Sequence, residues 1–409
     1  MDLTIKEIKP LIKYIIKNNG DLQKNGMDPV AVNIISQAGI GKSSLIQQIA
    51  EELDCNYVKL NLAEITETGD LVGYPICLHY CCKDDGTDCQ WIAPELIDSY
   101  VKAGYHITPD TKMSYALPDW YKRLDPNKKT IINLDDFTRA LPNILQASYE
   151  LIYKQELWSF KLPEGTTCLI TSNPDDGDYN VNSIDEAGKT RMLNFNLRFD
   201  IDSWAEYAES AGLDDRVINF LLSYSDQLMD DRGTHKHIMN ARSYTMFGNV
   251  IGGIQNWSDT ESLAMIMQIA SGSFDDEDNL VGSLFTTFIA NKLDKLISPQ
   301  DMLFGGWDTI EERIKNCVYD NGMYDAEHYK PAVASILQTR LLNKSIDYFS
   351  KSGAKNDVVI NRILEIIDAK QMLFSEDFLF NILKTLYNKF PARLNKAMLN
   401  GRIRNIILG

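Results

Sequence analysis

The stretch that decides the fold is residues 30–44, which read VAVNIISQAGIGKSS. A run rich in β-branched residues ends in a loop of small residues, and an amphipathic segment from Leu45 to Leu53 follows directly. Strand, loop and helix in this order are the arrangement of a P-loop, which holds nucleotide phosphates. The alternative is an ordinary glycine-rich turn that happens to contain a lysine.

Each position of the loop has a physical role. Gly39 and Gly41 lack a Cβ, so the backbone can curl and aim its N–H groups at phosphate oxygens, and the new helix adds its positive N-terminal end. Lys42 would reach the β- and γ-phosphates, and the Ser43 hydroxyl would ligate Mg²⁺. Ser36 stands where G-x-x-x-x-G-K-[ST] has its first glycine, which is tolerable if φ stays negative there. We therefore predict ATP and Mg²⁺ as cofactors, with the nucleotide held by Gly39, Ile40, Gly41, Lys42, Ser43 and Ser44.

Composition bounds the class of protein. The 409 residues suffice for two or three domains, and 44% hydrophobic with 24% charged residues is ordinary for a soluble globular protein. With 57 acidic against 41 basic residues, the formal charge is −16. Such a field repels phosphate backbones, so we do not expect a nucleic-acid partner. The best local basic patch is 384–404, which carries several Lys and Arg and no acidic residue.

The sequence also bears on localisation. No apolar run approaches the roughly 20 residues that cross a bilayer, and the first residues, MDLTIKE, lack the apolar region of a signal peptide. Seven cysteines, an odd number in a long chain, fit reduced thiols better than a disulfide framework. We expect a cytoplasmic protein without a membrane partner.

Strands alternate with helices as far as residue 204, a pattern typical of βαβ units and a parallel sheet covered on both faces. Helical periodicity dominates the rest of the chain. The predicted fold is α/β, an αβα parallel-sheet P-loop core followed by a helical lid and an all-α C-terminal extension. The domains are an N-terminal helix at 1–27, the core at 28–204, the lid at 205–295 and the extension at 296–409. The predicted strands after the P-loop are 57–62, 130–136, 167–174 and 193–199, and the clearest helices are 1–19 and 142–155.

Residues 76–117 are the least regular part of the core and are predicted to be an insertion. They contain Cys77, His79, Cys81, Cys82 and Cys89. A zinc site is conceivable, but the spacing lacks the paired C-x₂-C of a structural site. A hairpin that carries buried free thiols is the favoured interpretation.

Polar residues follow two of the predicted core strands. Asp135 ends an apolar strand, where a carboxylate would serve the P-loop metal, and Asp136 comes next, where it would orient or deprotonate the attacking water. Asn173 ends the following strand, where its amide can hold that water. Taken separately, these are also what an acidic loop and an Asn-Pro turn would look like.

Three arginines are candidates to contact the nucleotide or to stabilise the transition state of its hydrolysis. Arg191 and Arg198 lie beyond Asn173, where a mobile arginine could act in trans on a neighbouring subunit's site. The alternative for Arg198 is a surface ion pair with Asp185 or Asp200. Arg242 begins a helix of the small domain and could fold back onto the nucleotide, although a solvated arginine at a helix start looks the same.

The ordered segments SQAGIGKSS, DLVGYP, INLDDFTRA, TSNP, DEAGKTR and NARS resemble the MoxR branch of the AAA+ ATPases, over roughly residues 28–255. The resemblance implies a ring, usually of six subunits, with ATP at the subunit interfaces. In that branch the partner is often a von Willebrand factor A-type protein. By position the resemblance implies Lys42 and Ser43 as Walker A, Asp135 and Asp136 as Walker B, Asn173 as sensor 1, Arg191 as the trans-acting arginine and Arg242 as sensor 2.

Two departures from the branch matter: Asp136 replaces the usual Glu, which shortens the carboxylate by one methylene, and Ser36 replaces the usual Gly. The leading hypothesis is a hydrolysing ring ATPase that remodels a protein partner, with Leu71, Val72 and Tyr74 either gripping a polypeptide in the pore or attaching the insertion to the core. A second hypothesis is a nucleotide-gated scaffold that hydrolyses ATP poorly. A nucleic-acid motor is disfavoured by charge.

Overall fold

The computed structural model describes residues 2–83, 86–157, 159–175, 180–228, 240–274, 280–322, 326–369, 372–395 and 403–404. The chain divides into two compact units, Met1–Arg198 and Phe199–Gly409. No helix in the described ranges combines the length and the apolarity needed to cross a bilayer.

The first unit alternates strands and helices. Its strands are β1 (Asp2–Leu3), β2 (Ala31–Ile35), β3 (Asn56–Asn61), β4 (Tyr74–Lys83), β5 (Cys89–Ile92), β6 (Tyr105–Ala116), β7 (Thr130–Asp135), β8 (Glu156–Leu157), β9 (Phe160–Lys161), β10 (Thr166–Ser172) and β11 (Met192–Leu197). Its helices are α1 (Ile5–Lys24), α2 (Lys42–Glu52), α3 (Thr68–Val72), α4 (Ile97–Lys102), α5 (Pro142–Tyr153) and α6 (Glu186–Lys189).

The described strands of the core form a parallel sheet in the order β1-β11-β2-β10-β7-β3. The strand that leads into the P-loop, β2, therefore lies between β11 and β10, and β10 separates it from β7. Because all of these strands run the same way, the loops after β2, β10 and β7 meet at one edge of the sheet. The expected α/β core, a parallel sheet flanked by helices, is confirmed.

Helix α1 is longer than the sequence predicts. The prediction ended it at Asn19 and Gly20, but it continues to Lys24. The side chain of Asn19 is buried and bonds to Val30, the residue before β2. It donates to the Val30 carbonyl at 2.9 Å and accepts from the Val30 N–H at 2.8 Å. A residue that usually stops helices is here used for a tertiary contact.

The insertion forms a separate antiparallel sheet in the order β5-β4-β6, together with α4. Cys82 and Cys89 lie opposite each other in this sheet, with Cα atoms 4.1 Å apart, and form a disulfide. The preference for reduced thiols does not hold for this pair. Cys81 is a buried free thiol, as the hairpin interpretation expects, whereas the free thiol of Cys77 is exposed. Within the described residues, no three His, Cys, Asp or Glu side chains are grouped to hold a metal.

The second unit is helical in its described residues. Its helices are α7 (Ile201–Ala211), α8 (Asp215–Leu228), α9 (Ala241–Ile251), α10 (Thr260–Phe274), α11 (Leu280–Ala290), α12 (Pro299–Phe304), α13 (Trp307–Val318), α14 (Pro331–Ser350), α15 (Asn356–Ile367), α16 (Glu376–Lys389) and α17 (Pro391–Leu394). The buried guanidinium of Arg340 on α14 donates to Glu209 on α7 at 2.6 Å and to Asn219 on α8 at 2.8 Å. These bonds attach the predicted extension to the predicted lid.

Candidate functional site

The P-loop has the backbone that its glycines permit. Gly39 and Gly41 adopt φ values of 81° and 104°, in the region that residues with a Cβ rarely enter, and Gly41 is the residue before α2. Ser36 does not have a positive φ, so the missing first glycine costs no backbone strain. Ile40 is buried and Ser44 is exposed on the first turn of α2.

Lys42 is buried at the centre of this loop. Its Nζ donates to the carbonyls of Ser36 at 2.6 Å and Gln37 at 3.0 Å, and to Asn173 Oδ1 at 3.1 Å. The ammonium therefore joins the loop to the end of β10. All three acceptors are neutral oxygens, and a charge-assisted bond to a phosphate would be stronger than any of them.

Asn173 is fixed by the segment that follows β7. Its backbone N–H donates to the Thr138 hydroxyl at 3.2 Å, and its buried side chain faces Lys42. The amide is therefore held in place from both sides.

Asp135 is the second centre of the site. Its Oδ1 accepts from the Ser43 hydroxyl at 2.6 Å and from the Thr171 hydroxyl at 2.5 Å. Thr171 lies on β10, so this carboxylate connects α2, β7 and β10. The structure thus brings Lys42, Ser43, Asp135 and Asn173 together, as the order of motifs along the chain predicts.

A fifth residue, Lys59, belongs to this cluster and was missed by the sequence analysis. Its Nζ lies 2.7 Å from Asp135 Oδ2. Burial alone would raise the pKa of Asp135, but the hydrogen bonds from Lys59, Ser43 and Thr171 outweigh it and leave that pKa below its ordinary value. Partial burial lowers the pKa of Lys59, and its bond to Asp135 more than reverses this.

Asp136 directly follows β7 and has an uncommon backbone. Its φ of 52° and ψ of 40° place it in the left-handed region, and its N–H donates to the Thr171 hydroxyl at 3.2 Å. Asp tolerates this region better than most residues with a Cβ. The turn gives Asp136 a different direction from Asp135, so the two adjacent carboxylates can serve different roles.

Arg191 lies at the opposite edge of the sheet. It precedes Met192, which is paired with Ala31 at the start of β2, whereas the P-loop follows the end of β2. At a rise of about 3.3 Å per residue, the length of β11 separates the two edges by about 17 Å. Arg191 therefore does not face the P-loop of its own chain.

The guanidinium of Arg191 is supported by Tyr149 on α5. It lies 5.6 Å from the centre of the Tyr149 ring and donates to the Ala187 carbonyl at 3.3 Å. A Cβ on Gly188 would lie 2.6 Å from the Tyr149 hydroxyl oxygen, so the glycine of DEAGKTR allows α6 to pack against this tyrosine.

Arg198 and Arg242 are both exposed. Arg198 follows β11 at the same edge as the P-loop, and its N–H donates to the Leu3 carbonyl at 2.9 Å. The carboxylates proposed as its partners cap helices: Asp185 accepts from the Gly188 N–H at 2.7 Å and Asp200 from the Ser203 N–H at 2.9 Å. Arg242 is the second residue of α9 in the second unit.

The DLVGYP segment, which holds the candidates to grip a polypeptide, is divided between the core and the surface. Leu71 is fully buried in the core, on the short helix α3, and Val72 packs against the same cluster. The Trp120 indole donates to the Leu71 carbonyl at 3.0 Å. This bond joins the two segments that flank the insertion. Leu71 is buried and not available to grip a polypeptide, while Tyr74 is half exposed.

The residues at the carboxyl edge fit a magnesium ion bound together with phosphate. Ser43 and Asp135 offer hard oxygen ligands that already lie within 2.6 Å of each other. Mg²⁺ usually takes one or two such groups plus substrate phosphates and water rather than a cage of protein ligands.

Comparisons with known proteins were made against families, curated proteins and solved structures. No family model and no curated protein matches this chain. Among solved structures, a mutant of RuvB from Thermotoga maritima is similar at a TM-score of 0.33 and 10% identity, covering 73% of this chain and 82% of that one. A protein from Cytophaga hutchinsonii described as a candidate ATPase is similar at a TM-score of 0.29 and 11% identity, covering 84% and 75%. Similarity at this level supports no argument about activity, so function has to be argued from the site.

Proposed function

We propose that this chain binds ATP with Mg²⁺ at the carboxyl edge of its sheet and hydrolyses it in a ring of subunits. Turnover would remodel or chaperone a protein partner, as in MoxR-type AAA+ ATPases. The observation that carries the proposal is the contact cluster of Lys42, Ser43, Asp135 and Asn173. These four side chains come from three separate segments, and each is of the type that phosphoryl transfer requires at its position.

The P-loop would bind the phosphates of the nucleotide. Its glycines leave the backbone N–H groups free of Cβ obstruction, and Lys42 supplies the charge for the β- and γ-phosphates. Ser43 and Asp135 would hold Mg²⁺, which neutralises phosphate charge as a Lewis acid.

Asp136 and Asn173, which follow β7 and β10, would promote hydrolysis. Asp136 would accept the proton of the attacking water, and Asn173 would hold that water in line without adding negative charge. Arg191, which does not face its own P-loop, would complete a neighbouring subunit's site. Arg242 would report the nucleotide to the helical region.

The same site supports a second candidate, a nucleotide-gated scaffold that turns ATP over slowly. Two observations favour it: Asp136 is a short carboxylate, and Lys59 is already paired with Asp135. In either case we propose a protein partner, with a von Willebrand factor A-type protein as the first candidate, and the charge of −16 argues against nucleic acid.

Steady-state ATP turnover across a range of protein concentrations tests the proposal, with Lys42→Ala as the blank. We expect turnover per subunit to rise with concentration, because each site is completed by a neighbour. Flat turnover at the level of the blank, with tight nucleotide binding, would leave only the scaffold. Absence of nucleotide binding in the wild type would overturn both.

A further inference from the structure

The side chain of Lys59 reaches Asp135 along one face of the sheet. In the parallel pairing of β3 with β7, Lys59 is opposite Asn133 and Asn61 is opposite Asp135. Side chains two residues apart share a face, so Lys59 lies beside the row that ends in Asp135. Strand β3 is at the end of the sheet order, which leaves the lysine 45% exposed while its ammonium contacts the carboxylate.

The two oxygens of Asp135 are used differently. Oδ1 accepts two hydrogen bonds, from Ser43 and Thr171, and a carboxylate oxygen offers about two lone-pair sites. Oδ2 is therefore the oxygen that remains for a metal ion or a metal-bound water. The ammonium of Lys59 lies 2.7 Å from this oxygen.

We propose that Lys59 is an internal competitor of Mg²⁺ for Asp135, and that it sets the magnesium concentration at which this site takes up nucleotide. Like charges close together oppose each other, so the metal binds only as far as it displaces or outweighs the ammonium. Displacement is feasible because the lysine is on an edge strand and 45% exposed, so its ammonium can turn to water while the largely buried Asp135 stays in place. This inference rests on the proposed nucleotide site.

The test is the binding of a fluorescent ADP, N-methylanthraniloyl-ADP, to the full chain as Mg²⁺ is raised at constant ionic strength. Lys59→Met removes the charge at similar length, and Lys59→Arg keeps it. We expect Lys59→Met to lower the midpoint magnesium concentration about tenfold, the effect of one charge a few ångströms away, and Lys59→Arg to stay within about threefold of the wild type. Lys154→Met, which removes an exposed lysine paired with Asp28, is the matched control and should not move the midpoint.

The outcomes separate the inference from the proposed function. Equal midpoints for Lys59→Met and the wild type, with nucleotide bound by both, would overturn the competition and leave the proposed function standing. No binding by the wild type at any magnesium concentration would overturn the proposed function itself. If Lys59→Met gives no cooperative thermal melt, Lys59→Gln replaces it and is read in the same two ways.

Discussion

The two edges of the parallel sheet are built in opposite ways. At the carboxyl edge, Lys42, Ser43, Asp135 and Asn173 bond to one another across segments far apart in sequence. At the amino edge, Arg191 bonds to Ala187, four residues earlier, and rests on a tyrosine ring.

The two edges differ in whether their charged groups already bond to one another. At the carboxyl edge, the charged groups already contact one another within one chain. A guanidinium held by a backbone carbonyl and an aromatic face keeps several N–H donors for something outside its own segment. About 17 Å of strand separates these donors from the P-loop of the same chain. In the ring that we propose, they would serve a second copy of the chain.

Replacing Arg191, the arginine of the amino edge, should have the largest effect on turnover. We expect Arg191→Ala to lower turnover about a thousandfold, the lower end for a trans-acting arginine, while fluorescent ADP binds as in the wild type. Arg198→Ala is the matched control, because Arg198 lies at the carboxyl edge, and its turnover should change little. The reverse pattern, with Arg198→Ala inactive and Arg191→Ala active, would assign the trans-acting role to Arg198.

Mixing variants tests the trans arrangement directly. Lys42→Ala subunits have no working site but still carry Arg191, and Arg191→Ala subunits have an intact P-loop. Adding the first to the second should restore turnover. A mixture no more active than its parts would contradict completion between subunits.

The carboxyl edge can be probed through Asp136. We expect Asp136→Asn to lower turnover about a hundredfold, the lower end for a general base, without weakening nucleotide binding. Asn is the matched replacement because it too tolerates the left-handed backbone found here, at φ 52°. Unchanged turnover in single-turnover measurements would exclude Asp136 as the base.

The carboxyl edge could be predicted from sequence because its parts are local signals. A glycine-rich loop, a buried strand that ends in Asp135 and another that ends before Asn173 each lie within a few residues, and parallel strands bring such ends together. The parallel-sheet P-loop core followed for the same reason, and it is confirmed. The functional roles of these residues stay predictions.

What the sequence did not disclose depends on contacts between distant segments. Lys59 looks like an ordinary polar position of an edge strand, and only the pairing of β3 with β7 brings it to Asp135. Asn19 reads as a helix stop until its bonds to Val30 are seen. Leu71 was a candidate to grip a polypeptide, but the core buries it, because α3 packs on α5.

Replacing Tyr149, the tyrosine beneath Arg191, should have a smaller effect on turnover. The tyrosine lies beneath Arg191, and its ring also packs against Phe137, next to Asp136, with ring centres 6.0 Å apart. Tyr149→Leu removes the ring beneath the guanidinium and should lower turnover about three- to tenfold, as a cation–π contact of about 1 kcal/mol predicts. Tyr149→Phe keeps the ring and should remain within about twofold of the wild type.

The mixing experiment isolates this effect from any loss of core packing. Arg191→Ala subunits, whose Tyr149 is intact, provide the active sites, and the donors are Lys42→Ala with or without Tyr149→Leu. If Tyr149 positions Arg191, the donor that lacks the ring restores less turnover although no active site has been altered. Equal restoration by both donors, at equal thermal stability and equal incorporation, would mean that Arg191 finds its position without the ring, and that the amino edge is held by the Ala187 carbonyl and by contacts made only in the assembly.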